Sequence, residues 1–308
     1  MVLSILGHPK VLSFLRKTKI WRNYNEFLPL FQALPIFFKE EDWKFWLSEC
    51  KVWEQNKDPR WKLISYYDPN YPKLLKEIYD PPLVIVGMGD LTLLQKDLVA
   101  IVGTRKSSPV SLSATKALVG SFSEKENIAI VSGMALGIDR QAFVTALEFG
   151  IPVIGVLGTT LGIEYPPGNR DLYKRIKNDT KQLLISEFLL HTEPAKWTFP
   201  KRNRVISGLC QKVFIMESGK KSGTISTAMS AMEQNREIFV FDHPKQFDNE
   251  GGKMLLRQGA STLCRESQMI KTETLERNIY SYEEWQKLKN TSFLQKKEEE
   301  VLDFQFNL

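Results

Sequence analysis

Between Phe199 and Gly208 the chain reads Phe-Pro-Lys-Arg-Asn-Arg-Val-Ile-Ser-Gly. Lys201, Arg202, Asn203 and Arg204 place three cations and one amide side by side, behind an aromatic ring and a proline. Lys196 stands three residues upstream of Phe199, next to Trp197. From Lys196 to Lys221 there are seven Lys/Arg against a single acid, Glu217. Guanidinium forks grip phosphate bidentately, and flat rings stack on bases. The chemistry this run suits is therefore a hold on a polyanion that carries stackable bases. A charge run alone is more often a solvated basic loop, so the rest of the chain has to decide between the two.

Other stretches repeat the theme. In Val102-Gly-Thr-Arg105, Gly103 lets the chain turn, Thr104 offers a hydroxyl and Arg105 a phosphate-binding fork. Ser132-Gly-Met-Ala-Leu-Gly-Ile-Asp139 ends in an acid at a helix start, where it caps the helix, or else orders Arg105 or the rim of loops around it. Tyr165-Pro-Pro-Gly168 is a turn signature. In Ser218-Gly-Lys-Lys-Ser-Gly-Thr224, backbone amides join the hydroxyls of Ser222, Thr224 and Thr227 at a helix start, a nest for phosphate. The lysines there precede Ser222 and Gly223, the wrong order for a P-loop, and no dinucleotide fingerprint is present. Donors and cations abound while acids and bases are few. The expectation is binding without turnover: not an enzyme, with no cofactor and no metal.

The elements that must position these loops read as strands alternating with helices. Leu98 to Val102, Ile128 to Val131, Pro152 to Leu157, Leu183 to Ser186, Val213 to Met216 and Ile238 to Phe241 are short apolar runs suited to strands buried on both faces. Helical patterns cover Leu112 to Phe122, Asp139 to Phe149 and Ser226 to Gln234. Alternation of this kind predicts an α/β fold with a doubly wound, mostly parallel, Rossmann-like sheet. Gly103, Gly133, Gly158, Gly219 and Gly223 follow strand ends, where such sheets take their ligands. Residues 1–62, rich in Trp and in apolar residues at helical spacing, read as a small N-terminal helical domain whose tryptophans belong to the core. Residues 63–265 form the Rossmann-like domain. Residues 266–308 turn polar and read as a short C-terminal appendage.

Composition sets the outer bounds. The 308 residues carry a net charge of +6, which favours acidic partners, though weakly. Cys50, Cys210 and Cys264 are far apart and odd in number, and His8, His191 and His243 are equally scattered. Neither a disulfide framework nor a metal-ligand spacing follows, and a cytoplasmic setting is expected. No apolar run is long enough for a membrane helix.

Val102 to Arg105, Ser132 to Asp139, Phe199 to Gly208 and Ser222-Gly-Thr-Ile-Ser-Thr-Ala228, taken in order, resemble the successive signatures of the DNA-processing protein A (DprA, or Smf) family. Tyr71-Pro72 with Pro81-Pro82 ahead of the first strand, Ile185-Ser-Glu187 and Gln258-Gly-Ala260 extend the resemblance over roughly residues 66 to 262. It implies an extended Rossmann fold that binds single-stranded DNA, protects incoming strands during natural transformation, helps load the RecA recombinase and forms homodimers. It also implies the site: Arg105, Lys196, Phe199, Arg202, Asn203 and Arg204 in a positive pocket. Gly103, Thr104, Ser132, Gly133, Ser222, Gly223 and Thr224 would supply backbone and hydroxyl contacts. For Asn203 and Arg204 two roles stay open, contact with DNA or tying their segment to the sheet.

The sequence departs from the family pattern at Leu136, at Phe143, at Asp242-His243 and at Gly251-Gly-Lys253. Two other readings compete. One is a nucleotide phosphoribohydrolase of the lonely-guy type, which shares Gly223-Thr224 but has Thr227 where that chemistry places a glutamate. The other is a scaffold whose rim senses a nucleotide.

Overall fold

The structure is a computed structural model that describes residues 2–190, 192–242 and 249–263. One nine-stranded sheet organises it. In chain order the strands are β1 (Trp61–Ser65), β2 (Val84–Gly89), β3 (Asp97–Val102), β4 (Ile128–Ser132), β5 (Val153–Leu157), β6 (Leu183–Ser186), β7 (Lys212–Ile215), β8 (Glu237–Phe241) and β9 (Ser261–Leu263). Across the sheet they run β1-β2-β6-β5-β4-β3-β7-β8-β9. All pairings from β6 to β9 are parallel, while β1 and β2 join antiparallel at one edge. The chain winds outward from β3 through β6 in one direction and from β7 through β9 in the other. Its topological switch point lies between β3 and β7, where Val102 pairs with Ile215.

The helices are α1 (Pro9–Thr18), α2 (Phe27–Ala33), α3 (Glu40–Asn56), α4 (Lys73–Lys76), α5 (Pro109–Gly120), α6 (Ile138–Glu148), α7 (Arg170–Asn178), α8 (Thr198–Leu209), α9 (Gly223–Glu233) and α10 (Glu250–Arg257). Side chains on a strand alternate between faces, and here the alternation sorts the core into two layers. Val99, Ile101, Ile128, Ile130 and Phe214 pack with α5, α6 and α7. Ala100, Val102, Ala129, Val131, Val213 and Ile215 pack with α4, α8, α9 and α10.

The six apolar runs expected as strands are strands, each within a residue of its expected bounds. The two strands ahead of Leu98 were not anticipated, so the proline-bearing lead-in precedes β2 and not the first strand. Two glycines dilute the apolar signal of β2, and Gly89 is needed because its φ is +113° and a Cβ there would run into the Gln182 backbone carbonyl. The N-terminal helices join the first layer directly. Trp21, Phe27, Leu30, Leu34, Trp43 and Cys50 share one apolar cluster with Val84 and Val86, so packing does not break near residue 62. The 266–308 appendage, Cys264, His191 and His243 lie outside the described residues.

Candidate nucleic-acid interface

The basic run is not a solvated loop. It forms α8, and successive residues of a helix point about 100° apart. The run therefore sends its cations in different directions. Phe199, Arg202, Asn203 and Ile206 face the switch-point crevice, whereas Arg204 turns away to the opposite flank.

A cavity of about 370 Å³ opens at this crevice. Its walls come from the loop after β3 (Gly103, Thr104, Arg105, Lys106), from Ala135 and Asp139 after β4, from α8, and from Ser222, Gly223, Thr224 and Thr227 at the start of α9. Each group sits at a carboxyl end of a strand or at the helix that follows it, the usual place for ligands in an open α/β sheet.

Arg202 forms the cavity floor. It is buried, and its Nη1 donates to the carbonyl of Gly133 at 2.6 Å and to that of Val156, while Nε donates to Asn203 Oδ1 at 3.1 Å. Loss of hydration pulls its pKa down to about 10, against the pull of the Asp139 carboxylate, so it stays charged at neutral pH. Asp139 is not the helix cap; Gly137 holds that position. Asp139 Oδ2 instead accepts from the backbone N–H of Gly133 at 3.0 Å and of Ala135 at 3.3 Å. Burial raises its pKa, and the charge of Arg202 opposes the rise. The acid thus orders the loop beneath Arg202, not Arg105.

Arg105 is, with Lys106, an uncommitted cation of the site. It is exposed, makes no ion pair among the described residues, and its guanidinium lies 5.7 Å from the centre of the Phe199 ring. Phe199 is half-buried with Tyr165 against it, ring centres 5.3 Å apart. Opposite them, Ser222 caps α9 by accepting from Ile225 N–H. The first amides of a helix lack intrahelical acceptors and carry its positive end, so Gly223 and Thr224 bring anion-binding donors to the cavity. Asn203 holds the two helices together, donating from Nδ2 to the Gly223 carbonyl at 3.1 Å, and also lines the cavity.

Four of the residues expected at the site lie elsewhere. Ser132 is fully buried and donates to the Ile101 carbonyl at 2.6 Å, a tie between β4 and β3. Gly133 sits behind Arg202; a Cβ there would come within 2.6 Å of Arg202 Nη2. Its bareness serves the arginine, as that of Gly158 serves Phe199, whose ring would be 2.8 Å from a Cβ. Lys196 is exposed on the loop before α8, outside the cavity lining. Arg204 donates to Glu187 Oε2 and approaches Asp80 at 3.5 Å, which makes it a structural tie. Tyr165, read from the sequence only as part of a turn, buttresses the ring of Phe199, a role that a contact between distant segments creates and no local pattern signals. Phe143, where the family pattern is polar, is wholly buried in the core, and Leu136 is partly exposed on the second loop.

Fold and cavity together define an α/β protein whose switch point is lined by cations, hydroxyls and helix-start amides. The sequence model for DNA recombination-mediator protein A matches residues 62–274. The chain belongs to that family, the DprA/Smf proteins. It is 39% identical to DNA processing protein DprA of Streptococcus pneumoniae over 58% of this chain and 61% of that one. It is 36% identical to Protein Smf of Synechocystis over 70% of this chain and 54% of that one. These alignments thus span less than two thirds of either relative. Among solved structures, DprA of S. pneumoniae superposes with a TM-score of 0.64 at 31% identity, covering 71% of this chain and 77% of that one. DNA processing protein A of Helicobacter pylori, reported for its single-stranded DNA binding mode, superposes at 0.60 with 29% identity, covering 72% of this chain and 98% of that one.

Proposed function

We propose that this protein binds single-stranded DNA at the switch-point cavity and acts as a recombination mediator. It protects incoming single strands in natural transformation and hands them to RecA, working as a homodimer. The observation that carries this reading is the coexistence, in one cavity, of a buried arginine, an uncommitted arginine and an aromatic ring. A phosphate needs the cations, a base needs the ring, and a strand supplies both. The role is one of binding and not of catalysis. Asp139 is the one acid in the cavity lining among the described residues, and it is engaged by backbone amides. Thr227, in the slot where a phosphoribohydrolase would place a glutamate, donates its hydroxyl to the Gly223 carbonyl at 3.4 Å.

The test is fluorescence anisotropy of a labelled oligo-dT and of its duplex over a salt series. Four to five phosphate contacts at about 0.7 each predict a loss of roughly two decades in affinity between 50 and 200 mM salt. Single-strand preference with that slope supports the reading. Absence of binding at low salt overturns it.

A further inference from the structure

We propose that Trp197 is a second nucleobase platform, seated outside the cavity on the opposite flank of α8 and served by Lys196 and Lys201. The proposal rests on the single-strand reading above and extends its site.

Trp197 is 58% exposed, although it begins a helix that otherwise packs well. Its ring is not loose: it stands edge-to-face on Phe188, with centres 5.9 Å apart, and Phe188 is itself buried. A large flat indole held against a buried ring, with much of its surface in water, offers a platform for another ring. Lys201, one helical turn on and so on the same flank, places Nζ 5.3 Å from the Phe188 ring centre and 5.6 Å from that of Trp197. Lys196 is exposed beside the indole. Glu193 is exposed four residues upstream, but the other acids near Lys201, Glu187 and Asp80, are engaged by Arg16 and Arg204. Ring and ammonium groups together suit a base and its phosphate.

The placement fixes the path. Trp197 has helical backbone angles, φ −84° and ψ −22°. Two residues of helix turn through about 200°, so the indole and the Phe199 ring flank the first turn of α8 on opposite sides. A strand using both must cross the start of α8 past Lys196.

The experiment measures affinity of the full chain for oligo-dT from about four to sixteen nucleotides, comparing wild type, Trp197→Ala, Trp197→Phe and Phe199→Ala, with a thermal melt of each. Trp197→Ala should bind the longest oligomers about tenfold (1.4 kcal/mol) more weakly and the shortest as wild type does. Trp197→Phe should keep most of the affinity, and Phe199→Ala should weaken binding at every length. The platform is overturned if Trp197→Ala matches wild type on long oligomers or loses the same factor at all lengths. If wild type binds no oligomer, the single-strand reading falls and the platform with it.

Discussion

Arg16 of the first helix donates from Nη2 to Oε2 of Glu187, 3.0 Å away and 171 residues further along the chain. The same carboxylate oxygen accepts from Arg204 of α8, and Asp80 approaches Arg16 at 3.2 Å from the other side. The N-terminal helices are thereby tied to the back of the helix whose front lines the cavity.

Glu187→Ala should uncover that tie. It leaves two guanidinium groups facing each other with only Asp80 between them. Removing one partner from such a cluster costs about 3 kcal/mol, the low figure because the Arg16 side chain keeps 22% of its exposure. Urea unfolding followed by tryptophan fluorescence measures it. A loss below about 1 kcal/mol, typical of surface pairs, would show that the cluster is solvated.

Phe199→Ala removes the ring beside Arg105. Stacking of one base on an aromatic is worth about 1–3 kcal/mol, so affinity for oligo-dT should fall by roughly five- to 150-fold. The salt slope should be unchanged, since no phosphate contact is lost. Arg105→Ala should do the reverse in slope, lowering it by about 0.7. Anisotropy titrations at several salt concentrations separate the two. An unchanged affinity in Phe199→Ala would remove stacking from the account.

Gly133→Ala and Gly223→Ala form a contrasting pair. A methyl at 133 displaces the Arg202 guanidinium, whereas a Cβ at 223 meets nothing within 4 Å. The first should cost about 1–3 kcal/mol by overpacking and weaken DNA binding through the shifted arginine. The second should leave the melting temperature nearly unchanged. Equal melting behaviour of the two variants would contradict the close approach of Arg202 to Gly133.

A pH effect follows from Asp171. Arg140 donates to both of its carboxylate oxygens and also to Asn169 Oδ1, whose amide in turn donates to the Met134 and Ala135 carbonyls of the second loop. The hydrogen bond with Arg140 lowers the Asp171 pKa to about 2. A carboxylate with a lowered folded-state pKa stabilises the fold above its unfolded pKa, about 3.9, and that share is lost as pH falls through about 2. The Asp171 side chain is 65% exposed, so the contribution at pH 7 should stay under about 1 kcal/mol. Chemical denaturation of wild type and Asp171→Asn should show a small gap at neutral pH that closes between about pH 4 and 2. A gap that widens on acidification would refute the assignment.

Much of this molecule is legible in its sequence. Short apolar runs such as Ile128 to Val131 announce buried strands because a strand covered on both faces tolerates little polarity. The order of strands and helices then dictates a doubly wound sheet, and glycines after strands mark the ligand edge. Gly103, Thr104, Arg105, Phe199, Arg202, Asn203, Ser222, Gly223 and Thr224 do meet at one cavity. What the sequence obscures is direction. Lys201, Arg202 and Arg204 are alike in composition, yet a helix turns each to a different neighbour.

The sequence by itself determined the doubly wound class, six of the nine strands and the supply of cations and hydroxyls at the ligand edge, because those follow from local periodicity and from where glycine falls. Only the tertiary structure decided which cations face the cavity. Arg202 is held beneath it by the carbonyls of Gly133, just after β4, and of Val156 in β5, Arg204 is spent on Glu187, and Arg105 is left free. The reason is physical: a charge's role depends on which partners replace its lost water, and those partners come from segments far apart in the chain.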